Sequence, residues 1–342
     1  MKFSFEKLPN KRKELNKPDF EIKRYHLESG INVELKVKKL TPSNQELLNN
    51  EEAVFVLPGW GTDVDSPVVE NFSQGYADVF KQKTFTISSR AEQHVSENKN
   101  VQIMEEESKA IANYIANSGK KVITLTGYSQ GGNKAMNVVA ILQKNHPEIN
   151  ISGLVLVGSA GLYSQDELDI VKNFNKDALI NTPKKILEGS NKIADIKNAV
   201  SSVVTIFQNT MREIIKSKTD YLTRFKRELS EIGTENIHMS EIESPIILIA
   251  GSDDLIAQRE KFMPQDKEDA LRNELENATT SDIREHYLRE NCFSNSPYIR
   301  MVSPSKNGTH SLPYFRPKAV ANVSAGLLKR YYEDKKNISG RL

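Results

Sequence analysis

The residues best suited to chemistry lie in the pentapeptide Gly127-Tyr128-Ser129-Gln130-Gly131. It follows an apolar run, Val122 to Leu125, and precedes a stretch with helical character from Asn133 to Leu142. Ser129 therefore falls where a strand is expected to turn abruptly into a helix, with small residues that let the two approach without a Cβ clash. The positive end of the helix would also favour an oxyanion at this bend. This setting predicts a nucleophilic serine, although G-x-S-x-G also occurs at ordinary strand-to-helix turns.

A serine hydroxyl needs a base within hydrogen-bond reach, and that base must be oriented by a third group. Among the six histidines, His310 lies in a loop rich in turn formers, after the predicted strand Tyr298 to Val302. Open α/β sheets bind ligands at that end of their strands. We therefore predict that His310 is the base. Structural or solvent roles are expected for the other histidines, which are His26, His94, His146, His238 and His286.

Two carboxylates follow the apolar run Ile246 to Ala250, at Asp253 and Asp254. A carboxylate that accepts the imidazole N–H fixes the tautomer and stabilises the imidazolium. Neighbouring side chains point in different directions, so one of the two is expected to reach His310 while the other caps the loop backbone. A capping Asp-Asp turn without catalysis is the structural alternative.

The negative oxygen of a tetrahedral intermediate needs backbone donors. The N–H of Gln130, directly after the serine, is one candidate by position, and the N–H of Trp60 in the loop Leu57 to Thr62 is the second. The alternative for Trp60 is plain packing.

Composition narrows the class of protein. The 342 residues allow one large α/β domain with an insertion, and Lys+Arg 47 against Asp+Glu 45 leaves a net charge of +2 without a long basic block. Nucleic acid is therefore not an expected partner. No apolar stretch is long enough to cross a bilayer, and the first residues lack a secretory pattern, so a cytoplasmic protein is expected. Cys292 is the single cysteine, and neither nucleotide-binding glycine motif is present.

The order of elements predicts an α/β fold with a mostly parallel central sheet and helices on both faces. An antiparallel hairpin, Glu21 to Leu40, comes first, and strands alternate with helices from Ala53 to Val157. The strands include Ala53 to Leu57 and a short one at Thr84 to Ser88, and a final helix from Pro317 to Tyr332 closes the core. The core is assigned to residues 1–162 and 244–342. Residues 163–243 have helical periodicity and are predicted to form an inserted cap, with a charged helical insertion at 258–290 further on. An apolar stripe marks one long helix of the cap: Ile193, Ile196, Val200, Val203, Phe207, Met211 and Ile214.

The order Ser129, Asp254, His310, each beyond a strand, with an upstream glycine-containing loop and a helical insertion, resembles the α/β-hydrolase superfamily. The resemblance runs from about Glu21 to Tyr332. It implies a Ser-His-Asp triad, and it assigns the acid role to Asp254 over Asp253 because the acid commonly stands three residues after a glycine. Many members have His-Gly where this chain has Pro58-Gly59, and the 258–290 insertion is longer than usual.

The resemblance implies an esterase or lipase-like hydrolase that works through an acyl-enzyme, without metal or organic cofactor. The expected substrate is a small ester with an apolar acyl or alcohol group. Thioester, amide or peptide, and carbon–carbon hydrolysis, and acyl transfer, use the same machinery and remain open. A hydrolase-shaped protein that only binds a ligand is the alternative from another class. The oligomeric state is left open.

Overall fold

The structure is a computed structural model that describes residues 19–44, 48–91, 102–177, 227, 229–251, 254, 261–275, 277–303, 310 and 316–339. The apolar stripe predicted at 193–214, the residue Asp253 and the histidine His94 lie outside these described residues.

An eight-stranded sheet forms the centre of the fold, in the order β1-β2-β4-β3-β5-β6-β7-β8. The strands are β1 Glu21–His26, β2 Asn32–Leu40, β3 Glu52–Leu57, β4 Lys83–Ala91, β5 Val122–Tyr128, β6 Asn150–Val157, β7 Ile246–Ile249 and β8 Ile299–Val302. β1 pairs antiparallel with β2, and β2 antiparallel with β4, whereas all pairs from β4 to β8 are parallel. The predicted mostly parallel sheet and its antiparallel hairpin are confirmed.

Helices cover both faces of this sheet. They are α1 Pro67–Phe80, α2 Ile103–Ala116, α3 Gln130–Asn145, α4 Glu167–Lys176, α5 Gln265–Glu274, α6 Thr280–Asn291 and α7 Pro317–Ser339. α1 and α7 pack on one face, and α2, α3 and α6 pack on the other. None of the helices in the described part of the chain combines the length and apolarity that a membrane crossing requires.

The central strands are apolar on both faces because both faces are covered. In β6, Val155 and Val157 belong to the core shared with α1 and α7. Leu154 and Leu156 alternate with them and join the core shared with α2 and α3. This period-2 alternation explains why the central strands read as continuous apolar runs in the sequence.

The boundaries of three elements differ from the sequence prediction. The strand expected at Thr84 to Ser88 continues to Ala91, and the last helix, expected to end at Tyr332, continues to Ser339. The helix after the serine begins at Gln130, earlier than the predicted Asn133. The predicted charged insertion at 258–290 contains α5 and α6 in its described part.

Within 163–243, the predicted cap, the described residues contain α4, a helical piece at 229–232 and a short 3₁₀ turn, Met239–Glu241, and they contain no strand. Ile170 of α4 and Leu229 and Ile232 of the helical piece pack against Ala160 and the half-buried Trp60. These elements therefore lie over the part of the sheet where β6 and the loop after β3 end.

Candidate active site

Ser129 stands between the last residue of β5 and the first residue of α3, at the carboxyl edge of the parallel strands. Its backbone has φ 54° and ψ −122°. A positive φ is uncommon for a residue with a side chain, and holding one there costs on the order of 1–3 kcal/mol. Strain of this kind at the end of a parallel strand is typical of a serine raised above the sheet on a sharp turn.

The glycines around the serine are required by close backbone approach. A Cβ on Gly127 would lie 2.5 Å from the Cα of Gly132, and a Cβ on Gly131 would lie 2.5 Å from the carbonyl oxygen of Pro58. A Cβ on Gly132 would collide with the side chain of Ser159. Only glycine therefore lets the start of α3 press against β5 and the loop after β3.

The Ser129 backbone is fixed by three hydrogen bonds. Its N–H donates to the carbonyl of Val157 at the end of β6 (3.0 Å). Its carbonyl accepts from the N–H of Gly132 (2.9 Å) and from the N–H of Ala160 (3.1 Å). The serine is therefore tied to the loop after β6 as well as to its own helix, and its side chain is half-buried.

His310 and Asp254 form a buried pair, each 4% exposed. The imidazole Nδ1 lies 3.1 Å from Oδ1 and 3.0 Å from Oδ2 of Asp254. Because a carboxylate can only accept, Nδ1 carries the proton and donates it to this carboxylate. In the neutral imidazole, Nε2 is then the nitrogen with a lone pair, and it can take a proton from another group.

The charge of Asp254 governs the protonation of His310. Burial by itself would lower the pKa of His310, but the negative charge and hydrogen bond of Asp254, and then the charge of Asp177, outweigh it. The pKa of His310 is therefore raised above its usual value. A carboxylate in this position stabilises the imidazolium that forms when the histidine accepts a proton.

Two further contacts bring the His310–Asp254 pair next to Ser129. The hydroxyl of Tyr128, the residue before the serine, donates to the backbone carbonyl of His310 (3.0 Å), and the two rings have centroids 5.1 Å apart. Gly158, next to the Val157 carbonyl that holds the serine, has φ 51°. A Cβ there would lie 3.1 Å from both Asp254 Oδ2 and His310 Nδ1. The hydroxyl, imidazole and carboxylate residues thus share one neighbourhood at the sheet edge.

The two residues predicted as oxyanion donors border the same serine. Gln130 is buried and is the first residue of α3, where backbone N–H groups have no acceptor within the helix. Trp60 follows Gly59, and a Cβ on Gly59 would lie 3.1 Å from the Cβ of Ser129. The Trp60 side chain packs against the apolar cluster that contains Ala160 and Ile170, which is the packing role named as the alternative. The donor role of its backbone N–H stays a prediction.

The other histidines with described contacts lie at the surface. Nδ1 of His26 is 2.8 Å from Asn32 Oδ1, and Nδ1 of His146 is 3.3 Å from Glu148 Oε1. His238 pairs with Glu241 at 3.0 Å, but both side chains are partly open to solvent. Within the described ranges, no three His, Cys, Asp or Glu side chains converge so as to hold a metal ion.

Many known structures have a fold similar to that of this chain. A carboxylesterase structure from the thaumarchaeon Nitrososphaera gargenis aligns with 91% of this chain and 100% of its own, with a TM-score of 0.54 and 12% identity. The esterase from Exiguobacterium antarcticum aligns over 90% and 98% (TM-score 0.52, 12% identity). An esterase from Thermogutta terrifontis aligns over 91% and 98% (TM-score 0.51, 13% identity). The chain has the α/β-hydrolase fold.

The resemblance expected from the sequence is therefore confirmed at the level of the fold. No protein-family model matches this chain, and no curated protein matches it by sequence. At identities of 12–13%, this structural similarity shows the fold but does not by itself show an activity.

Three contributors to the site were missed by sequence reasoning: Tyr128, Gly158 and Asp177. Tyr128 belongs to the pentapeptide Gly127 to Gly131, but nothing in the sequence indicates that its hydroxyl would reach the carbonyl of His310, 182 positions away. Gly158 directly follows the β6 strand and could have been suspected as a close-approach glycine. Nothing in the sequence indicated that Asp177 would be buried, because an aspartate in a polar helical stretch is ordinarily exposed.

Proposed function

We propose that this protein is a serine hydrolase that cleaves carboxylic esters through Ser129, His310 and Asp254. The observation that carries the proposal is the buried hydrogen bond from His310 Nδ1 to Asp254, at 3.0 Å, beside a serine with a positive φ on a strand-to-helix turn. A fully buried histidine and aspartate would be costly to retain for packing alone.

The proposed reaction has two halves. In the first, His310 Nε2 takes the proton of Ser129 Oγ while Oγ attacks the ester carbonyl carbon, and the N–H groups of Gln130 and Trp60 donate to the oxyanion. The imidazolium then gives its proton to the leaving alkoxide as the C–O bond breaks, which leaves an acyl-enzyme. In the second half, His310 takes a proton from water, the hydroxide attacks the acyl carbon, and Ser129 recovers its proton as the acid leaves.

An ester with an apolar acyl or alcohol group is the proposed substrate. An apolar cluster of Met104, Ala160, Ile170, Leu229 and Ile232 lies beside the half-buried Trp60, in the loop that packs against Ser129. Such a cluster offers dispersion contacts to a bound apolar group. The esterases with the same fold support an ester substrate. We propose that residues 163–243 act as the cap that covers the site.

Labelling with a fluorophosphonate probe tests the nucleophile. We expect the wild type to be labelled and Ser129→Ala to be unlabelled, because the probe forms a covalent bond with the activated oxygen. Ser164→Ala, which removes an exposed serine after β6, is the matched control and should label like the wild type. Labelling that persists in Ser129→Ala, or is absent from all three proteins, would refute the proposal.

A panel of chromogenic esters, thioesters and anilides with graded acyl chains then tests the bond and substrate class. We expect ester turnover to exceed the others and to rise with apolar chain length before it falls. A protein that binds these compounds equally well as wild type and as His310→Ala, with no turnover in either, would instead be a binding protein.

A further inference from the structure

The peptide unit between Gly59 and Trp60 contains the second oxyanion donor of the proposed mechanism, and Thr62 contacts the carbonyl of this unit. The Gly59 carbonyl accepts from the hydroxyl of Thr62 (2.7 Å) and from the N–H of Thr62 (3.3 Å). The bond from the hydroxyl has the usual length for its type, whereas the bond from the N–H is long. The side chain of Thr62 is therefore the stronger of these two anchors.

The planarity of the peptide bond links this carbonyl to the Trp60 N–H. The C=O of Gly59 and the N–H of Trp60 belong to one rigid unit, in which they point in opposite directions. Rotation of the whole unit about the line between its two Cα atoms changes the direction of both groups together. A hydrogen bond that holds the carbonyl therefore also fixes the direction of the N–H.

The turn that brings Thr62 back to Gly59 lies against the nucleophile. Gly61 has φ 72°, as the third residue of a type II turn does, and glycine adopts this conformation without strain. A Cβ on Gly59 would lie 3.0 Å from the ring of Tyr128 and 3.1 Å from the Cβ of Ser129. The Gly59–Trp60 peptide unit is therefore a direct neighbour of the serine.

Asp63, the next residue, attaches the turn to the sheet. Its carboxylate accepts from the hydroxyl of Ser88 on β4 (2.6 Å) and from the ammonium of Lys36 on β2. It also accepts from the N–H of Val64 (2.7 Å). The loop is thus held in place by contacts that do not involve the Thr62 hydroxyl, and this hydroxyl acts on the orientation of one peptide unit.

We propose that Thr62 is a positioning residue whose hydroxyl fixes the direction in which the Trp60 N–H points toward the oxyanion. The inference rests on the proposed function and deepens it. Oxyanion donors are effective because they are oriented before the charge develops, and a peptide unit that can rotate loses part of that effect. The ester carbonyl carries less charge in the ground state than in the transition state, so Thr62 contributes to kcat and little to KM.

The test combines ester kinetics with inhibition by a trifluoromethyl ketone of the same chain length as the ester. Ser129 Oγ adds to the carbonyl carbon of the ketone, the serine proton passes to His310, and the ketone oxygen becomes an oxyanion that stays bound. The inhibition constant of the ketone therefore reports on the oxyanion donors without any bond cleavage.

Two variants separate the hydroxyl from the rest of the side chain. Thr62→Val replaces the hydroxyl by a methyl group, and Thr62→Ser keeps the hydroxyl. Thr62→Ala is the second deletion variant if Thr62→Val does not fold. Ser118→Ala is the matched control, because it removes another hydroxyl that donates to the carbonyl three residues earlier, that of Ile115 (2.6 Å). Ser118 precedes β5 and lies at the opposite edge of the sheet from Ser129.

We expect Thr62→Val to lower kcat by about fivefold to fiftyfold, a part of the loss on the order of 10² to 10³ that follows removal of a whole donor. KM should stay unchanged, and the inhibition constant of the ketone should rise by a factor similar to the loss in kcat. Thr62→Ser and Ser118→Ala should stay within about twofold of the wild type in all three constants.

Four results would overturn the role of Thr62. The first is an unchanged kcat in Thr62→Val, and the second is a rise in KM alone. The third is a fall in kcat without weaker inhibition by the ketone, or with an equal fall in Thr62→Ser, because the packing of the turn would then be responsible. The fourth is a failure of both Thr62→Val and Thr62→Ala to fold, judged by circular dichroism, which would make Thr62 a structural residue.

The role of Thr62 and the hydrolase assignment fail in different ways. Wild-type protein that is labelled by fluorophosphonate and cleaves esters, with Thr62→Val equally active, would refute only the role of Thr62. Wild-type protein that is never labelled and cleaves no ester would refute the hydrolase assignment, and the inference about Thr62 with it.

Discussion

Two buried ion pairs lie near the turn that carries Ser129, and they differ in their partners. One is His310–Asp254, described above. The other joins Lys134 of α3, 8% exposed, to Glu107 of α2, 2% exposed, with Nζ and Oε2 2.5 Å apart. Glu107 also accepts from the hydroxyl of Ser89 (3.0 Å) and the N–H of Ala91 (2.8 Å) at the end of β4.

The difference lies in which charges can change. The Lys134–Glu107 pair, with the further hydrogen bonds of Glu107, joins the elements it touches, which are α2, α3 and β4. Histidine changes charge near neutral pH, so the imidazole of a buried His–Asp pair can gain and lose a proton while the aspartate holds it in place. The first pair suits structure, and the second suits proton transfer.

The largest effect expected from this comparison is on catalysis. His310→Gln should lower kcat/KM on an ester by about 10⁴-fold or more, because the base is lost while the oxyanion donors remain. The measurement is steady-state hydrolysis of a chromogenic ester. His238→Gln breaks the surface His238–Glu241 pair and is the matched control, which should keep wild-type activity. A similar loss in both variants would mean that the buried pair has no special role.

Breaking the other pair should affect stability. Glu107→Gln leaves the ammonium of Lys134 buried without its counter-charge, so the free energy of unfolding should fall by about 3–5 kcal/mol. Urea denaturation followed by circular dichroism measures this change. The double variant Glu107→Gln, Lys134→Met should recover part of the loss, because no buried charge remains. A single variant as stable as the wild type would contradict the structural role of the pair.

The pH dependence of activity should report on the His310–Asp254 pair. The proposed reaction needs neutral His310, and the pKa of His310 is raised, so activity should increase with pH through a midpoint above 6.5. At about pH 5.5 less than roughly a tenth of the histidine would be neutral, and kcat/KM should fall at least in proportion. The profile of kcat/KM from acid to neutral pH measures this midpoint. A midpoint below that of an ordinary histidine would show that burial outweighs the two aspartates.

The smallest effect expected is at Tyr128. Tyr128→Phe removes one hydrogen bond to the backbone of His310 and keeps the ring contact. A single hydrogen bond is worth about 0.5–1.5 kcal/mol, so kcat/KM should fall by about twofold to tenfold with little change in the pH midpoint. The kinetics of ester hydrolysis across pH measures both kcat/KM and the pH midpoint. Tyr332→Phe, which removes the hydroxyl that donates to the carbonyl of Ser152 on β6, is the control. Equal losses of kcat/KM in the two variants would show that the Tyr128 hydroxyl has no specific role at the site.

The sequence predicted the parallel strands well where both faces of a strand are buried. The predicted bounds of β3 and β7 lie within one residue of the observed bounds at each end, because buried strands appear as uninterrupted apolar runs. β4 was predicted too short because Ser89 and Arg90 are polar, although they pair with Leu35 and Glu34 of β2. Pairing with a neighbouring strand is invisible in local hydrophobicity.

The start of α3 was predicted late for a related reason. Gly131 and Gly132 disfavour a helix locally, and only the contacts with Pro58 and Ser159 explain why they are needed there. Among the candidate site residues, the types and order along the chain were readable from the sequence. Their distances were not, because Tyr128 and His310, for example, meet only when β5 and β8 join the same sheet.

The contact between Tyr128 and His310 joins positions 182 residues apart. Contacts with such a long chain separation form only after a large loss of chain entropy, and they come late in the assembly of a sheet. A partly folded chain that has built β3 to β6 would hold Ser129 on its turn but would still lack His310, the proposed base. On the proposed mechanism, reactivity toward esters would then appear only at the end of folding, and an emerging or misfolded chain would be inert toward esters around it.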